Sequence, residues 1–176
     1  MAHYEIVIAG FGGQGVLMLG QLLAYAGMVE GKNVSYFPAY GPEMRGGTAN
    51  CSVVISDEEV GSPVLSTPNI VIALNRPSYE KFHPMLSEDG ILFYNSSLFQ
   101  PENDLESFPV PANAIADELG SVKIANMVML GSLLARRNVV KVETVLTALE
   151  EKLSAKRRDM LEMNRQALSR GAELVK

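Results

Sequence analysis

The 176-residue sequence predicts an α/β fold: a mostly parallel sheet with helices on both faces, followed by a helical C-terminal segment. Three observations predict it. Short apolar runs recur at Tyr4–Ala9, Asn69–Leu74 and Ile91–Tyr94, the pattern of strands covered on both faces. Helical patterns follow the first two runs, and strands alternating with helices imply parallel pairing. From Ile124 onward the apolar residues keep only helical spacing.

In chain order, Tyr4–Ala9 is the first strand. Val16, Leu19, Leu23 and Ala26 then fall on one helical face, and Gly31 follows the helix end. Val34–Phe37 reads as a second strand, stopped by Pro38. Residues 40–47 form a loop rich in Gly and Pro. The β-branched content of 49–56 marks a third strand, closed by a turn at Asp57-Glu58-Glu59. Asn69–Leu74 is a fourth strand, followed by a helix beginning near Pro77, and Ile91–Tyr94 is a fifth. Three helical stripes complete the chain: Ile124, Met127, Val128, Gly131 and Leu134; then Val142, Val145, Leu146, Leu149 and Leu153; then Met160, Met163, Ala167, Gly171 and Leu174. The methionines at this spacing read as core packing. One domain over 1–176 is expected, with an α/β core over about 1–120 and helices over about 121–176.

Apolar residues make up 47% and charged residues 20%, a balance that folds around a core rather than staying disordered. No apolar run reaches the roughly 18 residues that span a bilayer, and no basic segment precedes the first strand as in a secretory signal. A cytoplasmic chain without membrane contact is expected. Residues 1–135 carry 5 basic and 14 acidic residues, whereas 136–176 carry 10 basic and 6 acidic. An acidic body lacks the basic track that nucleic-acid phosphates require. The basic C-terminal segment reads as the wet faces of helices, or as a dock for an acidic partner. With one cysteine, Cys51, and two histidines, His3 and His83, no cysteine-ligated metal site or histidine cluster is expected. Cys51 sits in a strand pattern as a small apolar filler, and His83 reads as a helix-end residue.

Gly10-Phe11-Gly12-Gly13-Gln14-Gly15 satisfies G-x-G-x-x-G between a strand and a helix, which makes the fold Rossmann-like. In such a loop glycines permit a tight turn and let backbone amides approach a phosphate at a helix N-terminus. The acid that should grip a ribose about 20 residues onward is missing, because Ser35–Tyr40 contains no carboxylate. No P-loop lysine follows either. NAD is disfavoured, and the loop either binds an anion or packs against a neighbouring backbone.

Tyr40-Gly41-Pro42-Glu43-Met44-Arg45-Gly46-Gly47-Thr48 is the second conspicuous loop. Following a parallel strand, it is expected at the carboxyl edge of the sheet, where ligand crevices form. A crossover loop carrying a local Glu43–Arg45 pair is the plainer alternative.

Together these two loops, with Cys51-Ser52-Val53-Val54-Ile55-Ser56, Asn126-Met127-Val128-Met129-Leu130-Gly131 and Asn164-Arg165-Gln166-Ala167, resemble the γ subunit of thiamine-diphosphate-dependent 2-oxoacid:ferredoxin oxidoreductases. Arg45-Gly46-Gly47-Thr48 looks nearer to the 2-oxoglutarate or branched-chain (ketoisovalerate) types than to the pyruvate type. The resemblance implies a multi-subunit enzyme that converts a 2-oxoacid and CoA to acyl-CoA, CO2 and reduced ferredoxin. It implies thiamine diphosphate and iron–sulfur clusters in partner subunits, namely α, β and in some complexes a ferredoxin-like δ. This chain would be a γ subunit without a tightly bound cofactor, inactive alone and prone to pair with itself when isolated. Its expected role is to aid assembly and shape the approach of CoA at a subunit interface. Candidate CoA or phosphate contacts are Gly12, Gly13, Gln14, Gly15 and Arg45; candidate interface residues are Tyr40, Pro42, Glu43, Met44 and Arg45. No residue is singled out as catalytic. The alternative is a stand-alone binding module for a nucleotide or other phosphorylated ligand.

Overall fold

A computed structural model describes residues 1–40, 47–102, 106–153 and 157–175. Six strands, β1 (His3–Phe11), β2 (Asn33–Tyr40), β3 (Thr48–Ser56), β4 (Ile70–Ala73), β5 (Ile91–Asn95) and β6 (Ser107–Val110), form one sheet in the order β2-β3-β1-β4-β5-β6. The β1–β4, β4–β5 and β5–β6 pairs are parallel, and β3 pairs antiparallel with both β1 and β2. The helices are α1 (Val16–Val29), α2 (Arg76–Phe82), α3 (Ala112–Leu119), α4 (Ala125–Arg137), α5 (Val142–Lys152) and α6 (Arg158–Glu173).

The apolar runs are apolar throughout because both faces of the central strands are covered. Ile6, Ile8, Ile70, Ile72, Ile91 and Phe93 point into a core closed by α1 and the C-terminal helices. Val7, Ala9, Val71, Ala73, Leu92 and Tyr94 point the other way, beneath Tyr79 and Phe82 of α2 with Leu65 and Phe99. Each fully buried Ile or Phe side chain contributes roughly 1.5–3 kcal/mol through burial. The two faces are unequal: among the described residues α2 is the one α-helix on the second.

The sheet corrects the expected course of the second strand. Pro38 does not stop β2, which runs on to Tyr40 in register with Ala49. An edge strand needs its ladder on one side alone, so a residue without an N–H is tolerated there. Pro109 occupies the other edge, in β6. Adjacent antiparallel pairing of β2 and β3 replaces the expected crossover. Since β2 is antiparallel to β3, and β3 to β1, β2 points the same way as β1. Its end therefore still lies at the carboxyl edge.

Among the C-terminal helices, Met127, Val128, Leu134, Val145, Leu149 and Ala167 are buried as the stripes require. Val142, Leu146, Leu153, Met160 and Met163 are half-buried, and Leu174 is exposed just past the end of α6. Part of the basic C-terminal segment faces the acidic body: Arg136 donates to Glu106 at 2.8 Å and Arg170 to Glu118 at 2.7 Å. Such exposed pairs add little stability.

At the amino edge, the Lys32 ammonium and the Ala2 amide (2.7 Å) both donate to Asp57. These donors, Lys32 first, hold its carboxyl below the ordinary carboxylate range. The folded pKa lies below the unfolded value of about 3.9, so Asp57 supports the fold above that pH. The support is lost as pH falls through the folded pKa. Urea midpoints followed from about pH 6 to about pH 2 should therefore fall less steeply in Asp57→Asn than in the wild type.

Candidate functional site

After β1 the chain turns to one side of the sheet to build β2 and β3, then crosses to the other side for β4 onward. The carboxyl ends of β1 and β4 thus flank the topological switch point, where open α/β sheets place their ligands. The glycine loop lies here. Gly13 and Gly15 take left-handed φ values of 93° and 75°, which L side chains adopt only with strain. Gly15 is also the residue that opens α1.

The loop is held largely by the chain itself. The Gly12 amide donates to the Gly47 carbonyl at 2.8 Å, and the Gln14 amide to the Phe11 carbonyl at 3.1 Å. Gln14 Oε1 accepts from the Phe11 amide at 2.7 Å and from Asn75 Nδ2 at 3.2 Å, while its Nε2 donates to the Leu74 carbonyl at 3.4 Å. Asn95 Nδ2 reaches the same carbonyl at 3.3 Å and Asn113 Oδ1 at 2.9 Å. Asn126 Nδ2 donates to the Gly15 carbonyl at 3.1 Å. Asn75, Asn95 and Asn126 are all buried, and each is hydrogen-bonded, as buried amides must be. Sequence reasoning gave none of these three a role at the site, and named Asn126 only within a motif that carries the family resemblance. For two of them the signal was a polar residue at the end of an apolar run: Asn75 follows β4 and Asn95 ends β5, both at the carboxyl edge.

Beside Gly13 and Gln14 opens a small cleft of about 120 Å3, lined also by Leu74, Asn113, Val122, Lys123 and Ala125. Three helices begin around it: α1 at Gly15, α3 with Asn113 in its first turn, and α4 at Ala125. None has an acidic residue in its first turn or a side-chain cap. Their N-terminal dipole ends make this edge positive. Lys123 adds a full charge without an ion-pair partner among the described residues. Within the loop, the Gly13 and Gly15 amides carry no hydrogen bond among the described residues, whereas that of Gly12 is occupied.

Of the other residues singled out in the sequence, Pro42, Glu43, Met44 and Arg45 lie outside the described residues, as does the side chain of Tyr40. The backbone of Tyr40 ends β2 at the same edge as the glycine loop. β3 lies between β2 and β1, so the second strand is one position farther from the glycine loop than in a dinucleotide fold. That placement accords with the missing ribose-binding acid.

Cys51 is fully buried under α1, and burial pushes its thiol up to about 12. It fills space as expected and is no thiolate nucleophile. His83 stacks on Tyr79 at 4.4 Å and donates from Nδ1 to the Tyr79 carbonyl at 3.0 Å, a helix-end role. A wider cleft of about 450 Å3 opens at the opposite, amino edge, lined by Tyr4, Lys32, Val140 and Lys141 among others. No helix among the described residues is long and apolar enough to cross a membrane.

A family model described as pyruvate ferredoxin/flavodoxin oxidoreductase matches residues 5–174. The chain is 47% identical over 133 residues to the ketoisovalerate oxidoreductase subunit VorA of Methanothermobacter marburgensis, covering 74% of this chain and 28% of that protein. Among solved structures it resembles the γ subunit of keto/oxoacid ferredoxin oxidoreductase from Geobacter sulfurreducens, with 30% identity, a TM-score of 0.81 and 98% of each chain covered. It also resembles the 2-oxoglutarate:ferredoxin oxidoreductase of Magnetococcus marinus, solved with 2-oxoglutarate, coenzyme A and succinyl-CoA bound. There identity is 26%, the TM-score 0.91, and coverage 99% of this chain and 31% of that one. The chain thus spans less than a third of the ketoisovalerate relative and of the 2-oxoglutarate enzyme. The reading as a stand-alone nucleotide-binding module finds no support in these relatives.

Proposed function

The chain belongs to the pyruvate ferredoxin/flavodoxin oxidoreductase family, and we propose that it serves there as the γ subunit of a 2-oxoacid:ferredoxin oxidoreductase. The end-to-end correspondence with a γ subunit, 98% of both chains, carries this reading. The complex converts a 2-oxoacid, CoA and oxidised ferredoxin to acyl-CoA, CO2 and reduced ferredoxin, acting in the cytoplasm. Its substrate is of the 2-oxoglutarate or ketoisovalerate class, both named among the relatives. Partner α and β subunits, with a ferredoxin-like δ where present, hold thiamine diphosphate and the iron–sulfur clusters. One cysteine does not fit a cluster that takes four cysteine ligands.

The residues of this chain fit a role at the approach of CoA. The free amides of Gly13 and Gly15 and the ammonium of Lys123 are donors suited to its phosphates. The Gly12 amide is engaged with Gly47, and Gln14 contributes by holding the loop. The segment Tyr40, Pro42, Glu43, Met44 and Arg45 forms the subunit contact, with Glu43 orienting Arg45 toward a phosphate or a partner carboxylate. In isolation the same surface pairs with a second copy.

Anaerobic pull-down of the tagged chain from its host, with mass spectrometry, is expected to recover larger partners carrying thiamine diphosphate and iron–sulfur clusters. The isolated chain is expected to reduce no acceptor when given a 2-oxoacid, thiamine diphosphate and CoA. Recovery of the chain alone, or turnover by it alone, overturns the reading.

A further inference from the structure

We infer that Gln14 is a positioning residue: its carboxamide closes the crevice between β1 and β4 and, through the glycine loop, fixes Gly47 at the root of the β2–β3 connection. In a dinucleotide-binding loop the three motif glycines let a pyrophosphate approach the backbone and let helix and strand pack closely. In this chain two of them make room for side chains of the chain itself, and the other is tied to its backbone. A Cβ on Gly10 would lie 2.6 Å from Gln14 Oε1, so the first glycine makes room for the Gln14 carboxamide. The second, Gly12, donates to the Gly47 carbonyl at 2.8 Å. A Cβ on the third, Gly15, would overlap the carboxamide of Asn126. The loop thus acts as a strut, with the Gly13 and Gly15 amides left free among the described residues.

Gln14 spans that strut. Its Oε1 takes the Phe11 amide at the end of β1, and the same oxygen takes Asn75 Nδ2. Asn75 is itself locked, because its Oδ1 caps α2 at the Ser78 amide at 2.9 Å. The Gln14 Nε2 then returns to Leu74 at the end of β4. One side chain thereby ties β1 to β4 and sets the direction in which Phe11 delivers the chain to Gly12. Because Gly12 holds Gly47, the spacing between the two loops at the carboxyl edge follows from Gln14. What those loops meet rests on the γ-subunit reading; the strut does not.

The test is amide hydrogen exchange on the isolated chain, comparing wild type with Gln14→Met and Gln14→Glu. Met fills the crevice but accepts no hydrogen bond; Glu keeps the accepting oxygen. In Gln14→Met the Phe11 and Gly12 amides should exchange about tenfold faster or more, with the Ser78 amide unchanged. In Gln14→Glu both should stay protected. Loss of folding in Gln14→Met with a folded Gln14→Glu also supports the accepting role. Unchanged Gly12 exchange in Gln14→Met, or the same behaviour in both variants, overturns it. In the assembled enzyme, Gln14→Met should raise KM for CoA with kcat kept; a fall in kcat alone counts against positioning. Failure of the wild type to assemble would refute the γ-subunit reading and leave the exchange result standing.

Discussion

Replacing Gly171 with alanine is expected to lower the free energy of unfolding by about 3 kcal/mol, or to prevent folding outright. Gly171 of α6 rests on α4, and a Cβ there would overlap the Val128 carbonyl oxygen and lie 2.9 Å from its carbon and 3.1 Å from the Ser132 amide nitrogen. Gly131 of α4 faces α6 in the same way: its Cβ would overlap the Leu168 carbonyl oxygen and lie 2.8 Å from that carbonyl carbon. The obstructing atoms are backbone, so no rotamer change relieves them, and the helices must separate. Separation would also break the hydrogen bond from the buried Ser132 hydroxyl to the Gly171 carbonyl, 2.8 Å long. Urea denaturation measures the change as a lower midpoint at constant slope. Gly61→Ala, where a Cβ meets open space, is the control and should stay within about 0.5 kcal/mol of wild type. A loss under about 1 kcal/mol for Gly171→Ala would mean that the two helices are not locked together.

Gly131 and Gly171 appear in the sequence as members of apolar stripes, which is how much of this fold was legible. Periodicity locates a face because burial is periodic, so β1, β4, β5, α1, α4 and α5 could be read from their apolar residues. It is silent on what the face meets, and a close helix crossing looks like a weak spot in a stripe. Two elements escaped altogether. The strand β6 is four residues long and contains Pro109, which central-strand logic rejects but an edge accepts. Helix α3 begins after Pro111 without a side-chain cap and buries only Ala112, Ile115 and Ala116. The position of β3 was equally invisible, since strand order depends on pairing across the chain rather than on local composition.

The candidate site divides the same way. Its place at the carboxyl edge was legible, because a glycine motif between a strand and a helix fixes where the backbone turns. Its contents were not. Asn75, Asn95 and Asn126 come from three separate stretches of sequence, and no spacing rule brings them together. Whether the glycine loop cradles an anion or packs on its neighbours turns on which amides remain free. Gly47 takes the Gly12 amide and Gln14 braces the loop, while the Gly13 and Gly15 amides stay free among the described residues, a pairing that no local spacing announces. Lys123 went unread for a further reason: a lone lysine on a polar turn is an ordinary solvated residue until three helix N-termini are found beside it.

Charge reversal at Lys123 is therefore the sharpest functional test of that edge. In the assembled enzyme, Lys123→Glu is expected to raise KM for CoA about tenfold while kcat changes little. The ammonium is exposed, so solvent screening limits what a single phosphate contact contributes; reversal adds repulsion to that loss. Lys123→Gln, which removes the charge without reversing it, should fall between the two, and added salt should narrow the gap between wild type and both variants. The 2-oxoacid KM should not move, because the glycine loop and Lys123 offer donors for phosphates and no pocket for an acyl chain. Dephospho-CoA separates the two phosphate sources on the cofactor. If Lys123 faces the 3′-phosphate, wild type and variant converge on dephospho-CoA; if it faces the pyrophosphate, the difference persists. An unchanged KM for CoA in Lys123→Glu would place the phosphates elsewhere, leaving this edge of the chain to subunit contact.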